Sequence, residues 1–315
     1  SNVPLISCDA QPRTVNRMRL LIKIHHIIIF IGEIRNSLLK LPDMWIRIIV
    51  GIIFIPTIIL LVWLGEVSLF LFVVLIVVTG LWEYYRLAGA KNLYPNKVIG
   101  MIAGGLLCLD AWLGMGSRGM LILTALIVIT AGLEIFRGHS HTAILNTTTT
   151  VFGVMYVGWL SCHLIYIRMI PSSFDSVSEQ DGVGMLLLAF VIPWFCDTSA
   201  YFTGKAIGRH KLIPHISAGK TIEGSVGGLI GTDVGLIALR SAFFSFLTPL
   251  HCIIMGGIGS IIAQIGDLAE SLMKRDAGVK DSSRLIPGHG GVLDRFDSVL
   301  FAAPFVYYYL IFIIL

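Results

Sequence analysis

Asp267, Glu270, Ser271 and Lys274 stand at i, i+3, i+4 and i+7 near the end of an apolar stretch, the spacing that puts side chains on one face of a helix. An ionised carboxylate within a membrane costs roughly 2.5–3.5 kcal/mol even on the milder scales, so such a row must turn inward and find partners. An internal ion pair of Lys274 with Asp267 or Glu270 would satisfy it without any chemistry. The segment that follows points further. From Ser271 to Asp297 the chain supplies cations able to neutralise a polyphosphate (Lys274, Arg275, Lys280, Arg284, Arg295) and hard oxygen ligands for Mg²⁺ (Asp281, Asp294, Asp297). Between them His289, Gly290 and Gly291 allow a backbone to approach an anion closely. A basic loop beside a membrane is often only a topology signal or a binder of anionic headgroups. That explains the lysines but not the intramembrane Asp267, the paired glycines or the Asp-Arg-Phe-Asp end.

A second polar segment begins at Asp197, inside another apolar stretch, and runs through Lys205 and Arg209 to Lys220, Thr221 and Glu223. Thr221 or Ser217 is suited to cap the helix that follows. Glu223 is suited either to orient a basic neighbour or to serve that cap. Gly219-Lys220-Thr221 has the look of a P-loop, but the upstream glycine is absent and no strand is expected before it, so that reading is rejected.

Ser271 to Asp297 resembles the signature of the CDP-diacylglycerol synthases, also called phosphatidate cytidylyltransferases: S-x-x-K-R-x4-K-D, then H-G-G-x-x-D-R-x-D, with every fixed position matched. The Asp197-Thr-Ser-Ala-Tyr segment and Lys220-Thr-Ile-Glu-Gly are also similar to that family's, so the strong match covers about residues 190–310. Further upstream the likeness is reduced to hydrophobicity and details such as Arg47 opening the first span and Glu83 closing the second. One departure is Ala218-Gly219 where members commonly carry a proline and a basic residue, which predicts a looser turn and one fewer phosphate contact. The resemblance implies an enzyme that joins CTP to phosphatidic acid, releasing pyrophosphate and leaving CDP-diacylglycerol. It also implies Mg²⁺ held by Asp267 and Asp294, alone or in a two-metal site helped by Asp197 or Asp281. Lys220, Lys274, Arg275, Lys280 and Arg295 become the expected phosphate contacts, and His289-Gly290-Gly291 a loop over the nucleotide. Related CTP-dependent lipid enzymes, a CDP-ether-lipid synthase or a polyprenol or phytol kinase, form the alternative. An ion-coupled transporter fits less well, because the charge collects in loops.

These residues need a frame that lipid will accept. The 315-residue chain is 56% hydrophobic and 13% charged, far below the quarter charged residues of a soluble domain. Apolar stretches at 47–64, 66–82, 98–115, 119–136, 151–170, 183–203, 222–246, 251–273 and 297–315 each approach the ~20 residues that cross a bilayer as helix. Lipid offers the backbone no hydrogen bonds and barrel-strand alternation is absent, so the expected fold is all-α, a polytopic membrane protein of about nine helices. Lys and Arg crowd the N-terminal tail and the 83–97, 204–221 and 274–296 loops, while 171–182 holds Asp175, Glu179 and Asp181 with no basic residue. That places the N-terminus and the polar loops in the cytoplasm.

The expected organisation is a basic tail over 1–46 with an interfacial helix, a scaffold of about five helices over 47–182, and a catalytic region of about four over 183–315. The net charge of +4 is spread in short blocks, which excludes a nucleic-acid partner and leaves membrane lipids. Five scattered cysteines indicate neither a disulfide framework nor a zinc site. A bacterial inner membrane is the expected location; a homodimer is the assembly considered.

Overall fold

The computed structural model describes residues 43–315 apart from 115, 139–140, 175–176 and 287–289, with side chains from residue 52 onward except that of Glu66. The basic tail and its interfacial helix lie outside these residues. The first helix, α1, spans Asp43–Leu64, and from Ile53 it belongs to the compact unit Ile53–Leu315 that holds every feature below.

Helices α2 (Glu66–Ala90), α3 (Lys97–Trp112), α4 (Gly119–Arg137) and α5 (Ala143–Gly153) follow, the last running through a π-helical turn at Val154–Trp159 into α6 (Leu160–Arg168). After the short α7 (Ile170–Ser173) come α8 (Glu179–Ile207), α9 (Ile222–Phe243), α10 (Pro249–Asp276) and α11 (Leu293–Tyr309), which closes in a second π-helical turn at Leu310–Ile314. Among the described residues seven stretches are long and apolar enough to cross a membrane: Val67–Ala90, Gly119–Arg137, Ala143–Arg168, Glu179–Ile207, Ile222–Phe243, Pro249–Asp276 and Leu293–Ile314. Of the other two expected spans, 47–64 lies within α1, a helix of 22 residues of which Ile52–Leu64 is the apolar part; the other is α3, which has 16 residues and stops at Trp112, where Gly114 and Gly116 take positive φ. The outer surface carries Phe136, Ile144 and Ile135 at 88%, 82% and 79% exposure, a covering that only lipid makes tolerable.

α8, α9, α10 and α11 pack in sequence order, and α6 lies against both α8 and α11. Lipid gives no hydrophobic drive between helices, so close approach and polar contacts must join them. Gly228 of α9 faces Cys196 of α8, whose carbonyl oxygen would lie 3.0 Å from any added Cβ. Between α9 and α10 the buried Ser260 hydroxyl donates to Thr232 Oγ1 at 2.8 Å. At the junction of α2 and α5, Tyr85 Oη donates to the Thr150 carbonyl at 2.9 Å. Cys108, Cys162, Cys196 and Cys252 are buried free thiols.

The all-α expectation holds with one correction. The 204–221 segment is not wholly a loop: Lys211–Ile213 (β1) and Ser217–Thr221 (β2) form an antiparallel hairpin. A strand therefore does carry Gly219-Lys220-Thr221. Alternation from half-buried Lys220 to buried Thr221 fits a strand feeding a helix, and Thr221 Oγ1 caps α9 by accepting the Gly224 amide at 3.1 Å. Where a looser turn was expected, Ala218 is held in the hairpin by the Lys211 ammonium, which donates to its carbonyl at 2.7 Å.

Candidate active site

Several of the expected site residues gather at helix ends. α10 continues to Asp276 and α11 begins at Leu293, so Lys274 and Arg275 occupy a last helical turn and Asp294 a first one. Cations at a helix C-terminus and a carboxylate at an N-terminus both favour the helix dipoles.

Two lysine–carboxylate clusters meet there. Lys220, on β2, is ion-paired with Asp267 of α10. Burial pushes the Lys220 ammonium below the usual lysine range, against the fields of Asp197 and Asp297, which pull it back up. Lys274 is 9% exposed and lies between Glu270, one turn earlier and fully buried, and Asp294, whose Oδ1 accepts from it at 2.6 Å. The other oxygen, Asp294 Oδ2, accepts the Ser282 amide at 2.9 Å, the Ser282 hydroxyl at 2.7 Å and the Gly291 amide at 2.7 Å. Asp294 thus fixes the loop between α10 and α11 while holding Lys274.

Behind this lies a residue to which the sequence gives little weight. Glu83, on α2 and fully buried, accepts the Ser283 hydroxyl at 2.5 Å, the Ser282 hydroxyl at 3.0 Å, and the amides of Val292 and Leu293 at 3.0 and 2.7 Å. It acts as the anion at the N-terminus of α11. The paired glycines serve this packing: Gly290 has φ +84°, and a Cβ on Gly291 would strike the Ser282 hydroxyl and lie 2.5 Å from Glu83 Oε1. In this structure the glycines wrap internal carboxylates. His289 lies outside the described residues.

A cavity of 380 Å³ opens beside Lys220, between α8, α9 and the hairpin, lined also by Asp197, Tyr201, Lys205 and Gln264. Asp197 makes no hydrogen bond among the described residues, and its charge is within reach of Lys220 and Arg295. Gln264, which the sequence reading passed over, is fixed by the Ser225 hydroxyl at its Oε1, and its Nε2 donates to the Ser225 carbonyl at 3.4 Å.

Other expected site residues sit further out. Glu223 accepts the amides of Arg209 and His210 and the His210 ring at 2.7 Å, closing the hairpin onto α9. Arg275 donates to the carbonyls of Ile216 and Val279, bracing the hairpin tip. Asp281 and Lys280 line a separate cavity with Arg86 and Arg284. Ser271 is half-buried on α10. Asp110, a further carboxylate within an apolar stretch, is buried on α3 with neither oxygen hydrogen-bonded among the described residues.

The donor set suits a hard divalent cation. Asp197, Asp267, Glu270, Asp294 and Asp297 outnumber Lys220, Lys274 and Arg295 by two within one electrostatically coupled cluster. Among the described residues no three carboxylate, imidazole or thiol side chains already converge on a single point.

The model of the cytidylyltransferase family matches residues 45–313. The phosphatidate cytidylyltransferase of Bacillus subtilis is 32% identical over 286 residues, covering 85% of this chain and 98% of that protein. That of Synechocystis sp. is 33% identical over 264 residues, covering 76% and 87%. That of Staphylococcus haemolyticus reaches 46% over 127 residues, covering 40% and 49%. With a match across nearly the whole compact unit, the chain belongs to the phosphatidate cytidylyltransferase family.

Proposed function

We infer that this chain is a phosphatidate cytidylyltransferase, converting CTP and phosphatidic acid into CDP-diacylglycerol and pyrophosphate. Beside the family match, one observation carries the reading: Lys220, which lines a cavity, is held by the carboxylate of Asp267, and Lys274 is held by those of Glu270 and Asp294. Such lysines can exchange an internal anion for a substrate phosphate without a bare charge ever being buried.

The reaction asks little of a base. A phosphatidate monoester oxygen, already anionic near neutral pH, forms the bond to the α-phosphorus of CTP while the bond to the β-phosphate oxygen breaks. Pyrophosphate leaves with the electron pair. The barrier lies in aligning two polyanions and spreading the charge that builds on the leaving group. Lys220 and Lys274, with Lys280 and Arg295, meet the phosphates; Arg275 and Glu223 hold the hairpin against α10 and α9. Asp267 and Asp294, helped by Asp197, would hold Mg²⁺, which when bound neutralises the CTP phosphates. The lysine- and arginine-rich helix ends support a site on the cytoplasmic face, and the bacterial relatives support a location in the bacterial inner (cell) membrane.

The test is turnover by the purified protein in detergent with labelled CTP and phosphatidic acid, in Mg²⁺ or in EDTA. Label entering the lipid phase with stoichiometric pyrophosphate, in Mg²⁺ alone, supports the reading. Release of CDP with a phosphorylated lipid alcohol would make the chain a lipid kinase. No lipid product from folded protein would overturn it.

A further inference from the structure

A second cavity, of 460 Å³, lies between the end of α2 and the 279–284 segment. Its wall brings together Arg86, Lys280 and Arg284 against one carboxylate, Asp281. Three cations around the site are paired with carboxylates: Lys91 with Asp276 at 2.5 Å, Lys220 with Asp267, Lys274 with Glu270 and Asp294. Among the described residues Arg86, Lys280 and Arg284 have no such carboxylate; Arg86 instead lies over the ring of Trp82, 5.7 Å from its centroid. Like charges gathered on one concave wall repel and focus a positive potential, which an incoming anion relieves.

The back of this cavity is formed by Ser282 and Ser283, both buried. The Ser282 hydroxyl lies 2.7 Å from Asp294 Oδ2 and 3.0 Å from Glu83 Oε2, so the wall is one side chain away from the cluster that holds Lys274. Two cavities therefore flank the lysine–carboxylate clusters, one beside Lys220 and one beside Ser282. The reaction brings together two phosphate-bearing anions.

We propose that the Arg86–Lys280–Arg284 cavity is a phosphate-recognition site, taking the phosphate end of one of the two substrates and linking its occupancy to Asp294 through Ser282. The inference rests on the cytidylyltransferase reading for the identity of the ligand. The shared chemistry is an oxyanion array that a planar guanidinium clamps at two oxygens; its source is a lipid headgroup or a nucleotide polyphosphate.

Arg86→Gln, Arg284→Gln and the double variant would be assayed in mixed micelles, varying CTP and the surface fraction of phosphatidic acid separately. The double variant is expected to raise KM for one substrate at least roughly tenfold, the loss of about one charge-assisted contact, with the other KM unchanged. A rise confined to phosphatidic acid assigns the lipid headgroup; one confined to CTP assigns the nucleotide. Unchanged KM values, or a fall in kcat alone, overturn the site. A second readout is independent of turnover: the upward melting shift that CTP or a short-chain phosphatidate gives the wild type should vanish in the double variant for the ligand assigned. If the wild type makes no CDP-lipid while that shift is still lost in the variant, the site stands and the catalytic reading falls. If turnover proceeds and the shift persists in the variant, the reverse holds.

Discussion

The carboxylate of Glu83, near the end of α2, accepts the backbone amide of Leu293, the first residue of α11, at 2.7 Å across 210 residues of sequence. Three more donors meet the same carboxylate, so one buried anion fixes the start of α11 and the two serines that face Asp294. Glu83→Ala leaves the Ser283 hydroxyl and the Val292 and Leu293 amides without this acceptor, while the Ser282 hydroxyl keeps Asp294, and each buried unsatisfied group costs ~1–3 kcal/mol before relaxation. Its melting temperature in detergent should fall clearly and its turnover by a hundredfold or more. Glu83→Gln keeps the volume and one accepting oxygen and should lose less of both. An alanine variant that melts and turns over like the wild type would remove Glu83 from this role.

Lys274 is the single cation between two carboxylates, Glu270 and Asp294. Removing one partner of a buried pair typically costs ~3–5 kcal/mol, because the other charge stays behind unpaired. Lys274→Met should therefore be the most destabilising single change on α10, with turnover abolished. Adding Glu270→Leu should recover part of the melting temperature and none of the turnover. Recovery of activity in the double variant would reduce Lys274 to a structural ion.

The sequence carries the membrane class, the helical fold and the row Asp267–Glu270–Lys274, because hydropathy and the helical period are local properties. It also names Asp294 and Lys220 as site residues. It does not reveal their partners. Within α10, Lys274 could pair with Asp267 or with Glu270; the structure gives Glu270 to Lys274 and gives Asp267 to Lys220, which comes from a hairpin 47 residues upstream. The hairpin is itself hard to read, since Gly219 and Pro214 signal a turn and the pairing of Lys211 with Thr221 is set by tertiary closure. Glu83 stayed in the background for the same reason. At the end of an apolar helix a carboxylate looks like a boundary marker, and only the return of α11 beside α2 shows what it binds. The signal available was its resemblance to the family pattern outside the main motif.

Gly291 separates close approach from flexibility. A methyl group there would collide with the Ser282 hydroxyl and crowd both Glu83 Oε1, at 2.5 Å, and Glu83 Cδ, at 2.6 Å. These neighbours are held by the carboxylates and cannot yield freely, so overpacking of ~1–3 kcal/mol is expected. Gly291→Ala should lower the melting temperature and turnover together. Gly257→Ala, on α10, meets nothing within 4 Å and should leave the melting temperature within about a degree of wild type. Equal behaviour of the two variants would refute the packing account of the paired glycines.

Asp267 and Asp294 are both proposed to hold Mg²⁺, yet their surroundings predict different failures. Asp267 is about a quarter exposed and, among the described residues, is paired with Lys220, whereas the Asp294 side chain is buried and bound to Lys274, Ser282 and Gly291. Asp267→Asn should keep the wild-type melting temperature and shift the Mg²⁺ concentration for half-maximal turnover upward by at least tenfold, the loss of one anionic ligand. Asp294→Asn should lose turnover and melt lower at every Mg²⁺ concentration, because it also unties the α10–α11 loop. Titrating Mg²⁺ into EDTA-stripped protein while following turnover and melting separates these outcomes. An Asp267→Asn variant with wild-type turnover and wild-type Mg²⁺ dependence would take Asp267 out of the metal site and leave it as the counter-ion of Lys220.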